Sequence, residues 1–152
     1  MMKVLVGYPS RKEERQILER MTEEEPLKVE QVVNPEAIIS ARDVVRKIFV
    51  DERIKDYIVH LVFATRAADT YRLDGLQRLI AYGASPRATM YLAMTAKAHA
   101  FLNGRGYVIP EDVKEIAPEV LRHRIMVTYE AEAENISSED VVQRVLKGVP
   151  VP

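Results

Sequence analysis

Apolar residues in this chain recur mostly three or four positions apart, the spacing that gives a helix one buried face. Asn34 and Pro35 open one such stretch as cap and first helical residue, and Ile38, Ala41, Val45, Ile48 and Phe49 follow its face. Asp51 starts a second, carried by Ile54, Tyr57, Ile58, Leu61, Val62 and Thr65. Residues 69–84 break the rhythm and read as an irregular connector closed by Gly83. Ser85 and Pro86 then cap and begin a long helix that runs to Gly104. Met90, Tyr91, Leu92, Met94, Ala98, Phe101 and Leu102 cover most of its circumference, which predicts a place inside a bundle. Pro110, Glu111 and Asp112 begin the next helix, and Val113, Ile116, Val120 and Leu121 form its stripe. Pro118 is expected to kink or divide it. Ser137 caps a last helix through Val141, Val142, Val145 and Leu146, stopped by Gly148.

Extended structure is predicted in few places. Val4 to Val6 form a short apolar run that Gly7 and Pro9 end, after which Ser10 and Glu13 make a capping box for a helix with Ile17, Leu18 and Met21 on its stripe. A strand that short needs neighbours, and no convincing sheet follows. Residues 22–33 read as a polar connector with one β-like stretch, which sets a boundary near residue 33. "IMVTYEA" at 125–131 is β-prone. The class is mainly α, with a strand-helix piece ahead of a helical bundle.

Composition narrows the function. With 152 residues, 47% of them hydrophobic, the chain is long enough for a real core. Lysines and arginines number 22 against 23 acids, a balance that disfavours a nucleic-acid binder. There is no cysteine, which excludes disulfides and thiolate metal sites. No apolar run has the length of a membrane span, and the expected compartment is the cytoplasm.

Few residues invite a chemical role. His60, His99 and His123 fall on different predicted helices or beyond the end of one, so packing or solvation explains them better than metal ligation, and no metal site is expected. Glu13, Glu14, Asp51, Glu52, Glu111 and Asp112 stand at helix starts, where the helix dipole favours acids. "RHR" at 122–124 ends a helix, where positive charge suits the carbonyl end; phosphate binding is the other use of such a cluster. Arg87 is the exception. It lies in the first turn of the helix that Pro86 begins, where the dipole opposes a cation. Either it pairs with a carboxylate such as Asp74, or helix start and guanidinium together receive an anion such as phosphate.

"GASPRA" at 83–88, followed by the alanine-rich helix and by "GRGYVIPEDVKEIAPEVLRHRI", resembles the MoxR family of AAA+ ATPases. "GYPSRKEERQIL", "DERIKDYIVHLVFATR" and the closing "YEAEAE…DVVQRVLKGVPVP" agree in the same order, so the likeness spans nearly the whole chain. It covers the carboxyl-terminal part of such a protein. The resemblance implies that residues 1–33 are the end of the α/β nucleotide-binding core and 34–152 the helical lid. It implies that Arg87 is the sensor 2 arginine, reaching the terminal phosphates of ATP held with Mg2+ by the core. Pro86 presets its angle, and Tyr8, Pro9 and Ile17 line the adenine pocket by the same likeness. Implied partners are the core, neighbouring subunits of a ring, a hexamer in the family, and a von Willebrand factor A domain protein.

The chain carries no P-loop, so ATP hydrolysis is not expected of it alone. Its first ten or so residues are expected to be mobile or to pair with another copy, because Val4 to Val6 lack sheet partners. The competing reading is a stand-alone helical interaction module that binds a protein and no nucleotide.

Overall fold

The computed structural model describes residues 1–22 and 28–152. Most of the "TEEEP" run lies outside them. Helix α1 (Arg11–Thr22) is followed by α2 (Pro35–Lys47) and α3 (Glu52–Ala64), then by 3-10 turns at Ala68–Tyr71 and Gln77–Leu79. Strand β1 (Ile80–Tyr82) leads into α4 (Pro86–Leu102) and α5 (Pro110–Leu121), and β2 (Met126–Val127), α6 (Tyr129–Ala133) and α7 (Ser138–Gly148) complete the order.

Local chemistry explains most boundaries. Asn34 accepts the N–H of Ala37 at 2.8 Å, and Asp51 accepts that of Arg53 at 3.0 Å. Ser137 and Asp140 satisfy each other's backbone in a reciprocal box, as Ser10 and Glu13 do. Helix α4 stops at Gly104, whose φ of +70° a side chain would resist. Its last carbonyls are then closed by Gly104 N–H to Phe101 and Arg105 N–H to Ala100, both at 2.9 Å.

The core is built from α3, α4, α5 and α7. Tyr57, Ile58, Leu61 and Val62 of α3 meet Leu92 of α4, Val113, Val120 and Leu121 of α5, and Val141, Val142 and Val145 of α7 in one buried cluster. Each large aliphatic side chain buried there contributes roughly 1.5–3 kcal/mol. Helix α4 buries Ala88, Leu92, Ala96 and Ala100, four residues apart, and the three alanines let its neighbours α3 and α5 approach closely. It does sit among α2, α3 and α5, but Met90, Met94 and Leu102 stay exposed, so the bundle does not enclose it.

Several expectations need correction. Val4 to Val6 form no strand and are exposed, with no strand beside them; just ahead of them Lys3 donates its N–H to the Glu119 carbonyl at 2.8 Å. Residues 28–33 form no strand either. Helix α1 buries nothing, and Ile17, Leu18 and Met21 are 49%, 62% and 75% exposed. Helix α2 also buries no residue fully and ends before Ile48; Phe49 instead forms a parallel bridge with Tyr107. The 69–84 connector contains β1, which pairs antiparallel with β2, because the β-prone residues at 126–127 supply the partner that pattern alone did not reveal. Helix α5 passes through Pro118 undivided, held by packing of its stripe against α4 and α7.

Candidate functional site

The first turn of α4 is fixed from below by the end of α3. Thr65 is buried; its hydroxyl donates to the Val62 carbonyl at 2.7 Å and accepts the Ala84 N–H at 2.9 Å. The backbone passes so close that a Cβ on Gly83 would stand 2.2 Å from the Thr65 carbonyl oxygen. Only glycine permits that approach, since the clash is with main chain and cannot be relieved by a rotamer. Ser85 holds the cap position by backbone conformation, but its side chain makes no capping bond. Pro86 then presets the first helical φ, and Arg87 follows, exposed, on the next residue.

Among the described residues Arg87 forms no ion pair, with Asp74 or any other carboxylate. A guanidinium on a rigid helix start, without an internal counter-ion, can meet an external anion through two parallel N–H bonds. The other sequence candidates lie apart from it. Tyr8 and Pro9 are exposed, and Ile17 lines a shallow groove of about 510 Å³ on α1 with Leu18 and Met21. The groove that Ile17 lines includes neither Arg87 nor Tyr8 or Pro9.

A second polar centre joins α4 to α5, and the sequence reading missed it. The Asp112 carboxylate is fully buried. It receives both Nη atoms of Arg105, with Nη1 to Oδ2 at 2.6 Å, and the Ile109 N–H at 2.8 Å. The His99 Nδ1 lies 2.7 Å from its Oδ1, while Nε2 lies 2.9 Å from Glu115. Burial alone would raise the Asp112 pKa; the Arg105 guanidinium, the Ile109 N–H and His99 outweigh it and hold the carboxyl at about 2. An acid near the start of α5 was legible, but its burial against an arginine seven residues earlier was not. The network is structural: it locks the loop between α4 and α5. Elsewhere His60 Nδ1 meets the Tyr71 hydroxyl at 2.8 Å.

At the far end of α5 the "RHR" run divides its work. Arg122 pairs with Glu119 and Glu139 at 3.2 and 3.1 Å. The Arg124 guanidinium lies over the Tyr91 ring, 4.8 Å from its centre.

Residues 76–145 match the AAA lid domain family model. The chain is 41% identical over 150 residues to the chaperone MoxR1 of Mycobacterium tuberculosis, covering 99% of this chain and 40% of that protein. It is 36% identical over 151 residues to YeaC of Bacillus subtilis, 99% of this chain and 44% of that one. With MoxR of Methylorubrum extorquens it shares 38% over 85 residues, 53% of this chain and 24% of the other. The chain thus spans about two fifths of the length of the first two relatives. A crystal structure of a candidate ATPase from Cytophaga hutchinsonii superposes with a TM-score of 0.94 at 38% identity, over 100% of this chain and 46% of that one. Fold, lid motif and near-complete alignment agree: this chain belongs to the MoxR-like AAA+ family, and it carries that family's helical lid domain.

Proposed function

We propose that the chain is the nucleotide-reading lid of a MoxR-like AAA+ ATPase, with residues 1–33 belonging to its core and 34–152 to the lid. Arg87 acts as sensor 2. Its guanidinium meets the terminal phosphates of ATP, which the core holds with Mg2+ through its P-loop. The observation that carries this reading is the exposed Arg87, unpaired among the described residues, on a helix start pinned by Thr65 and Gly83. Such a group supplies charge stabilisation without reorganising, which is what phosphoryl transfer asks of its surroundings. Pro86 sets the approach angle, and Tyr8, Pro9 and Ile17 serve the adenine side. Because the lid is held through Arg87, loss of the γ-phosphate releases it, and hydrolysis becomes lid motion. A ring of subunits, a von Willebrand factor A domain partner and chaperone-like remodelling of protein complexes follow from the same reading; the name of the M. tuberculosis relative supports the last.

The test is complementation. A MoxR-like core ending before the "GYPS" segment is mixed with this chain or with its Arg87→Ala variant, and association and ATP turnover are measured together. Turnover should rise at least tenfold with wild type and remain basal with the variant, while both associate. Equal turnover from both would remove Arg87 from the phosphate site. Failure of the wild-type chain to associate with the core would favour the stand-alone interaction module.

A further inference from the structure

Arg124 occupies an unusual setting for a surface arginine. Its Nε is buried and finds no acceptor among the described residues, and only Nη2 is engaged, by the Met1 carbonyl at 3.2 Å. No carboxylate among those residues pairs with it; Arg122 two positions earlier, whose Nε is likewise unmet, takes both Glu119 and Glu139. An unmet buried donor and an unpaired charge both cost free energy unless something answers them. The surroundings add to the imbalance. Arg122 Nη1 donates to the Lys3 carbonyl at 3.4 Å, so residues 1–3 lie across the "RHR" run. Lys3 has no ion pair among the described residues either. Loss of hydration, and then the charges of Arg124, the amino terminus, Lys3 and Arg122, lower the pKa of His123.

The ring beneath Arg124 ties this cluster to the lid's first turn. Tyr91 stands four residues after Arg87, on the same face of α4. Helical side chains lean toward the N-terminus, so the Tyr91 ring reaches back over the turn that bears Arg87. The guanidinium over that ring, 4.8 Å from its centre, is therefore brought to the part of α4 that carries Arg87.

We propose that Arg124 and Arg87 form a two-arginine clamp for a polyphosphate, with Tyr91 as the platform that positions the second cation. Lys3 supplies further positive charge at the rim. The inference rests on the assignment of Arg87 to the ATP phosphates and adds to it a second binding residue contributed by the segment after α5. It gives the lid a sensor made from two elements, so phosphate loss would release α4 and the 122–124 segment together.

The experiment uses the chain alone, titrated with inorganic tripolyphosphate while the arginine Nε–H resonances are followed by NMR. The resonances of Arg87 and Arg124 should both move, with ATP competing for the same shifts and AMP binding at least tenfold more weakly. Arg124→Gln and Arg87→Gln should each weaken binding fivefold or more. Arg124→Lys, which keeps the charge and guards against a folding artefact, should lose less, and Arg53→Gln should change nothing. Binding reduced by Arg87→Gln but not by Arg124→Gln or Arg124→Lys would leave the lid assignment standing and overturn the clamp. Binding that depends on Arg124 alone would overturn both. No binding by the wild-type chain at millimolar tripolyphosphate would overturn the clamp.

Discussion

Asp112 shows how a residue can look like one thing in sequence and act as another in the fold. At the start of α5 an acid complements the helix dipole, and a surface acid there is worth a few tenths of a kcal/mol. Here it is fully buried and bound by Arg105, Ile109 and His99. Its folded pKa of about 2 lies below the ordinary 3.8, so the contribution is complete above pH 4 and fades as pH falls through 2. The shift corresponds to about 2 kcal/mol. Urea denaturation of wild type and Asp112→Asn from pH 6 to pH 2 should show the wild-type advantage shrinking over the acid end of that range. An advantage independent of pH would mean that packing, not charge, explains the site. Arg87 is the opposite case: its awkward placement was visible in sequence, and its lack of a carboxylate partner among the described residues needed coordinates.

Helix starts separate by what their caps do. Ser137 accepts the Asp140 N–H and Asp140 returns a bond, whereas the Ser85 side chain makes no capping bond. Removing a working cap costs about 1 kcal/mol. Ser137→Ala should therefore lower stability by about that much in a denaturant titration, and Ser85→Ala by less than half of it. Equal losses would show that Ser85 caps α4 in solution. The start of α4 relies instead on the Thr65 hydroxyl, the close passage of Gly83 and the fixed φ of Pro86, which hold the turn without using the Ser85 hydroxyl. Sequence pattern located both helices because capping residues and apolar spacing are local signals. It could not tell a side chain that caps from one that merely stands at the cap position.

Across the whole molecule, burial is uneven. Helices α3, α4, α5 and α7 share the core, while α1 buries no residue and α2 none fully. Local opening follows such differences. Amide hydrogen exchange should find α4 and α5 the slowest region and α1 exchanging at least a hundredfold faster; comparable protection in α1 would show that its Ile17, Leu18 and Met21 stripe is covered in solution. The sequence by itself determined the helical class, the order of the long helices, most caps, the position of Arg87 and the resemblance to a MoxR-like lid, because each depends on residues within a few positions of one another. Tertiary structure alone decided which apolar stripes were buried, since that requires a partner face: α1 buries no residue, and α2, which meets α4, buries none fully. It also decided the pairing of β1 with β2, the burial of Asp112 against Arg105 and the stacking of Arg124 on Tyr91. Those contacts join residues that the local pattern treats separately, and only the packing of α4 against α5 and the segment beyond it brings them within bonding distance.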